Sequence, residues 1–182
     1  MKKLVFLFCC LLITLLTSCL TAEQKEYIFE LNGKGGGNLT IRYIGILSSQ
    51  QKDDTESPAE KDYQELVENY LNGSRIQEDF PNAKIVSKRL YEENGKLNGE
   101  VIISFDKLEQ VKVYQYDKNS PYMFNLALFS DEKVQESNGK QGPDFMPTIF
   151  WDKKLKKLTL KTKIAEQSES NVSLLKFYKK DK

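Results

Sequence analysis

The most reactive side chains in the sequence are three cysteines. All of them lie at the start of the chain: Cys9, Cys10 and Cys19. No cysteine follows Cys19, and the whole chain of 182 residues has no histidine. The part after Cys19 therefore cannot form an internal disulfide or a thiolate metal site. It also lacks the side chain best suited to proton transfer near neutral pH. Cys19 remains the candidate nucleophile, and its reaction would be covalent attachment of another group.

The residues before Cys19 have the layout of an export signal. Lys2 and Lys3 precede an apolar run over 4–16, which are the charged and apolar regions of such a signal. About 13 helical residues reach only about 20 Å, which is too short to cross a hydrocarbon core of about 30 Å. The run ends in Leu16-Thr17-Ser18-Cys19, which resembles the lipobox of bacterial lipoproteins: an aliphatic residue, two small residues and the cysteine.

The lipobox resemblance implies cleavage between Ser18 and Cys19 and a diacylglyceryl group on the Cys19 sulfur. In that family the new amino terminus is usually acylated as well, for example with palmitate. The resemblance further implies a membrane anchor outside the cytoplasm, in the cell envelope, on the outer membrane or the periplasmic face if the organism is diderm. The alternative is an ordinary secretory signal with an incidental cysteine.

Composition predicts one folded domain after this signal. The chain has 40% hydrophobic and 29% charged residues, close to the globular average. Its length suits a single core. We therefore expect a signal peptide over 1–18, a lipidated polar tether over 19–26 and a single domain over 27–182.

Alternating apolar residues predict two strands at the start of this domain, over 27–31 and 39–47. The glycine-rich segment between them, 32–37, superficially suggests a phosphate-binding loop. It lacks the Gly-Lys-Ser/Thr ending, and no helix pattern follows it, so a hairpin connection is the favoured interpretation. A helix is predicted next, capped by Ser57, with Pro58 in its first turn, and ended by Gly73.

Asn94-Gly95 between two apolar runs, 85–92 and 97–105, is the strongest sequence signal for a tight β-hairpin. Asp106 is then predicted to cap a short helix over 107–114 that carries Leu108, Val111 and Tyr114 inward.

The segment 99–109, Gly-Glu-Val-Ile-Ile-Ser-Phe-Asp-Lys-Leu-Glu, is similar to a strand-to-helix segment of the LppM-like lipoproteins of bacteria. This similarity implies an envelope lipoprotein with an α+β domain that contacts lipids or glycolipids. It carries over no binding residue.

Apolar alternation predicts further strands in the last third of the chain. They are expected over 122–128, as a hairpin of 148–151 with 155–164, and as an edge strand over 172–178. The polar segment 130–147 is expected to be a long loop, either a binding loop or an insertion without a role. Hairpins with separate helices predict an α+β fold: a mostly antiparallel sheet with one or two helices packed on one face.

Three lysines, Lys157, Lys161 and Lys163, fall on one face of the strand predicted over 155–164. They are candidates for contact with lipid headgroups, because the domain would be held close to a bilayer. The alternative is a solvated strand face whose lysines oppose aggregation.

These observations predict a non-catalytic, membrane-anchored envelope lipoprotein whose domain binds a lipid, a glycan or a protein. The alternative is a structural or assembly module of the envelope. A hydrolase based on two carboxylates is a third class, because such pairs are recognised only by their geometry. We expect no catalytic residue, no metal and no cofactor. Nucleic acid is a poor partner for an exported, nearly neutral protein.

Overall fold

The structure is a computed structural model that describes residues 20–49, 58–126, 132–143, 145–164 and 171–182. Seven of its strands form a large antiparallel sheet in the order β3-β4-β2-β1-β10-β7, with β11 paired to β2. Their bounds are β1 (Leu20–Leu31), β2 (Gly37–Ser49), β3 (Lys84–Glu93), β4 (Lys96–Phe105), β7 (Lys133–Ser137), β10 (Lys157–Lys163) and β11 (Asn171–Ser173).

Four shorter strands form a second antiparallel sheet in the order β5-β6-β9-β8. Their bounds are β5 (Val113–Tyr114), β6 (Tyr122–Asn125), β8 (Lys140–Gln141) and β9 (Thr148–Trp151). The short helices are α1 (Ala59–Glu65), a π-helix (Leu66–Asn72) that continues it, α2 (Arg75–Asp79), a 3-10 turn (Leu108–Val111) and α3 (Leu175–Lys180).

The main core joins the two sheets. Phe29 of the large sheet lies 5.7 Å from Phe124 and 5.9 Å from Trp151 of the small sheet, measured between ring centroids. These tilted and edge-to-face arrangements are the ones aromatic rings favour. All three side chains are buried. The sheets are therefore parts of one domain, and the predicted α+β class is confirmed.

A second apolar cluster forms where helices α1 and α3 meet the end of the large sheet. Its buried members include Ile46, Tyr63, Leu66, Leu97 and Leu174. β2 loses its pairing with β4 after Tyr43, and β11 pairs with β2 over 47–49 instead. The helices fill the opening between the separated strands.

The first strand begins earlier than the sequence predicts. Residues 20–26, expected as a polar tether, belong to β1 and pair with β2. The strand is difficult to recognise in the sequence because polar residues occupy both of its faces. Gln24 and Glu26 lie on the solvent face, whereas Lys25 faces inward and bonds to Glu132. Within the described residues, β1 thus reaches back to Leu20, the residue after Cys19.

Several predicted elements are confirmed. The helix extends to Asn72 and ends at Gly73, although its second half is π-helical. The Asn94-Gly95 turn joins β3 to β4, with φ angles of 53° and 72° that place both residues in the left-handed region. The glycine-rich segment joins β1 to β2 as a hairpin. Ser57 lies outside the described residues.

Other predictions are wrong in detail. Strands β9 and β10 do not form a hairpin, because β9 pairs with β6 and β8 while β10 pairs with β1 and β7. The predicted strand over 172–178 is β11 followed by helix α3. The predicted helix over 107–114 is a short 3-10 turn preceding β5, and Tyr114 is exposed instead of packed inward.

Candidate functional site

The candidate site is a cavity of about 310 Å³ between the inner face of the large sheet and the segment formed by the π-helix and α2. Its lining is mostly apolar and includes residues of both core clusters. Tyr43 and Tyr70 pack against both clusters and also line the cavity. The cavity therefore occupies the gap between the two parts of the core.

The floor of the cavity is a row of side chains that cross the sheet in register. Leu90, Gly99, Tyr43 and Lys25 are successive cross-strand partners on β3, β4, β2 and β1. Partners at one register position share a face of the sheet. Gly99 contributes no side chain to this row, and the ends of the Ile46 and Leu90 side chains lie over its backbone. A glycine within a strand often marks a place where a ligand approaches closely.

A cavity roof is provided by the π-helix. Leu66, Tyr70 and Leu71 line the cavity from this element, and Ile76 of α2 lies beside them. A π-helix of seven residues is unusual in length, and π-helical turns occur frequently at functional sites.

A buried carboxylate holds one wall of the cavity in place. The Glu132 side chain, 3% exposed, accepts hydrogen bonds from Lys25 Nζ at 2.8 Å and from Thr162 Oγ1 at 2.7 Å. The Tyr27 hydroxyl lies 2.9 Å and 3.1 Å from its two oxygens. Burial and the neighbouring Glu132 carboxylate raise the pKa of Tyr27 far above its usual value, so its phenol stays protonated. The Lys25 stem then lines the cavity with its charge compensated.

Lys88 also lines the cavity, and the partner of its ammonium group is a backbone carbonyl instead of a carboxylate. Its Nζ donates a hydrogen bond of 2.6 Å to the carbonyl oxygen of Gly73, at the end of the π-helix. A carbonyl is neutral, so this contact does not cancel the ammonium charge. An ammonium group has three donors, and the bond to Gly73 engages one of them. Lys88 is half-buried and belongs to the lining of the cavity.

The opposite face of the large sheet carries a row of alternating charges. Arg89, Glu100, Arg42, Glu26 and Lys161 are successive cross-strand partners from β3 to β10. Arg42 bonds Glu100 at 2.9 Å and Glu26 at 3.2 Å, and Arg89 bonds Glu100 at 2.8 Å. Opposite charges in neighbouring positions stabilise the pairing of the strands.

Of the lysines predicted from sequence, Lys161 belongs to this row, and Lys157 and Lys163 lie on the same strand. Lys157 and Lys161 have Glu30 and Glu26 as their partners on β1, and Lys161 has Glu136 as its partner on β7. Lys163 lies opposite Gln24 on β1 and Lys133 on β7. Lys157 and Lys161 therefore have acidic cross-strand neighbours, whereas those of Lys163 are an amide and a lysine. The structure does not bring Lys157, Lys161 or Lys163 to the cavity.

The predicted loop over 130–147 contains strands β7 and β8 in its described part. It contributes to both sheets and is not an irregular insertion, because Glu132, Val134 and Ser137 all face structured neighbours. The predicted cleavage and lipid-attachment residues, Ser18 and Cys19, lie outside the described residues.

Sequence reasoning missed the residues that shape the cavity: Gly99, Lys88 and Glu132. The signal for Gly99 was present, as a glycine within an otherwise apolar strand. Nothing in the sequence distinguishes Glu132 from its polar neighbours.

Within the described ranges, no helix is both long enough and apolar enough to cross a membrane. Those same residues contain no cluster of acidic, histidine or cysteine side chains that could hold a metal ion. No protein-family model, curated protein or solved structure matches this chain.

Proposed function

We propose that this protein is a non-catalytic lipoprotein of the cell envelope, anchored to a membrane through lipid on Cys19, and that its domain binds a lipid in the inner cavity. The anchor is supported by the export signal and the Leu16-Thr17-Ser18-Cys19 motif. Two acyl chains on one cysteine give firm attachment, since each buried methylene contributes about 0.8 kcal/mol.

The observation that carries the binding role is the position of the cavity. Leu20, the first residue of β1, lines it, and Leu20 is bonded directly to Cys19. A protein anchored at Cys19 would therefore hold this end of the cavity at the bilayer surface. An apolar lining with a few polar groups is the usual character of a small-molecule site, and about 310 Å³ lies at the lower end of the usual range of about 300–1,000 Å³.

The anchor is tested by Cys19→Ala in cells supplied with labelled palmitate. We expect loss of the label and accumulation of uncleaved precursor, because no other residue of the motif can carry the lipid. Cys9→Ala and Cys10→Ala are the matched controls, and both should be processed normally. Normal processing and membrane retention of the Cys19 variant would defeat the anchor.

The binding role is tested with a neutral apolar dye, N-phenyl-1-naphthylamine, on the chain from residue 19 with Cys19→Ser. This chain contains every described strand and helix. We expect dye fluorescence to rise on binding. Gly99→Leu should abolish the rise, because the added side chain would push Ile46 and Leu90 into the cavity. Ser87→Leu, on an exposed site of β3, is the control. Equal dye binding by the parent chain, Gly99→Leu and Ser87→Leu would show that the dye binds outside the cavity.

A structural or assembly role is the second candidate, and one observation favours it. Phe145 and Met146, in the turn before β9, are 85% and 43% exposed. Exposed large apolar side chains are enriched at protein interfaces. Photo-crosslinking from position 145 in intact cells tests this candidate. A single crosslinked envelope protein, lost with Met146→Ser, would support assembly over lipid binding.

A further inference from the structure

We infer that the ligand of the cavity is a single-chain anionic amphiphile, with its acyl tail above Gly99 and its acidic headgroup at Lys88. This inference rests on the proposed binding of a lipid in the same cavity and specifies the class of lipid.

The size of the cavity favours one acyl chain. A volume of about 310 Å³ is at the small end of ligand sites. The roof and floor are fixed on both sides by the buried Leu66 and Val101, so the cavity cannot widen without moving core side chains. A lipid with two tails would leave the second tail in water or in the membrane.

The apolar part of the lining forms a track for that chain. Ile46 and Leu90 flank Gly99, and a Cβ atom added at Gly99 would lie 3.3 Å and 3.5 Å from their terminal carbons. The ends of these two side chains therefore cover the Gly99 backbone and give the floor an aliphatic surface at this point. The aromatic rings of Tyr43 and Tyr70 complete this track. Burial and nearby carboxylates raise the pKa of Tyr43 well above its usual value, so its phenol adds no negative charge.

The charges of the lining favour an acidic headgroup at Lys88. Lys25 is bonded to Glu132, and Arg89 is bonded to Glu100. Lys88 bonds a neutral carbonyl and retains donors for a ligand oxygen. Asp79 also belongs to the lining, and its carboxylate is one of those that raise the pKa of Tyr43, although its side chain is exposed. The assignment of the headgroup to Lys88 therefore rests on the donors that this ammonium group retains.

The inference is tested by competition against the bound dye in the same Cys19→Ser chain. The competitors are dodecanoate, lauroyl-lysophosphatidylglycerol and dodecan-1-ol. We expect both anionic compounds to displace the dye at concentrations about fivefold or more below that of dodecan-1-ol, since a charged contact adds to the shared tail contacts. Displacement by only one of the two anions would identify the headgroup, a carboxylate or a phosphate.

Lys88→Met supplies the decisive comparison, because methionine keeps the apolar stem and removes the charge. It should weaken both anions about fivefold and leave dodecan-1-ol and the dye unchanged. Lys157→Met, on the opposite face of the sheet, should change none of them. If the dye binds but Lys88→Met leaves the anions unaffected, the headgroup assignment falls while the proposed binding function stands. If the dye does not bind at all, the proposed function itself fails.

The lipidated protein distinguishes a separate ligand from the protein's own anchor. The form carrying lipid on Cys19, reconstituted in nanodiscs, should still be crosslinked by a photoreactive dodecanoate, and Gly99→Leu should prevent the reaction. Loss of crosslinking in the lipidated form, with binding intact in the Cys19→Ser chain, would show that an acyl chain of the anchor fills the cavity and would overturn a free amphiphile as its occupant.

Discussion

The hydroxyl of Tyr27 lies within hydrogen-bond distance of both carboxylate oxygens of Glu132, 105 residues further along the chain. This contact joins β1 to the residue that precedes β7, and Lys25 and Thr162 complete the shell around the carboxylate. The cluster fixes one wall of the cavity.

We therefore expect Glu132→Gln to destabilise the fold. The amide carries no charge for Lys25 and brings two donors into a shell that already consists of donors. The expected loss is about 2 kcal/mol in the free energy of unfolding, measured by urea denaturation. Glu136→Gln, on the exposed face of β7, is the matched control and should change the free energy by less than about 0.5 kcal/mol. Equal effects of the two variants would contradict a structural role for the Glu132 cluster.

The pH dependence of stability should depend on Glu100. Burial alone would raise the pKa of its carboxyl, but the hydrogen bonds from Arg42 and Arg89 outweigh burial and lower the pKa below its usual value. The unfolded chain therefore binds this proton more readily. The stabilising contribution is complete above the unfolded pKa of about 4.3 and is lost as pH falls through the lower folded-state pKa.

Glu100→Gln should accordingly flatten the acid side of the stability profile. The difference from the parent should be largest near neutral pH and should shrink below about pH 4. Glu93→Gln, at the end of β3, is the comparison for removal of a carboxylate other than the one bonded by Arg42 and Arg89. Thermal unfolding across this pH range measures both, and a parallel profile for Glu100→Gln would contradict the expectation.

Gly139 should be intolerant of alanine. A Cβ atom there would lie 2.6 Å from Trp151 Cδ1 and 2.8 Å from Ile149 Cγ2, and both side chains are fully buried. Forcing these groups apart should cost about 2 kcal/mol, measured by chemical denaturation. Gly99→Ala is the control, because the same methyl group would have ordinary or slightly tight contacts at that position. A cost at Gly139 no greater than that at Gly99 would show that Trp151 can move.

The lysine face should contribute little to membrane binding. Lys157, Lys161 and Lys163 changed together to Gln should reduce binding of the Cys19→Ser chain to anionic vesicles by less than about twofold at physiological salt, because glutamates on the neighbouring strands share the face. Vesicle co-sedimentation over a range of salt concentrations provides the measurement. A large, salt-sensitive loss would restore these lysines as headgroup contacts.

Local patterns predicted those parts of the fold that local physics determines. Asn94-Gly95 identified its hairpin because both residues tolerate positive φ, and Leu158, Leu160 and Thr162 identified the buried face of β10 because side chains alternate along a strand. Neither pattern predicts which other strands these strands pair with. The small sheet was missed for this reason, since β9 and β10 have the same kind of apolar alternation and yet belong to different sheets.

The candidate site was harder to predict because its parts are distant in sequence. Lys25 and Glu132 each sit among polar residues, and only their contact explains why either is inward-facing. The position of Gly99 in the cavity floor is evident only from the fold, which places Leu90, Tyr43 and the π-helix around it. Hydrophobic periodicity predicts which side chains face the core. It does not predict where the packing of distant elements leaves a space between them.

The position of β1 in the middle of the large sheet has a mechanical consequence. Leu20 begins a strand that is hydrogen-bonded to β2 on one side and to β10 on the other. Backbone hydrogen bonds in an antiparallel sheet run perpendicular to the strands, so a pull on an anchor at Cys19 would load both ladders in shear, with many bonds sharing the force at once. In a protein held this way, tension on the anchor would have to break both ladders together before β1 could leave the sheet.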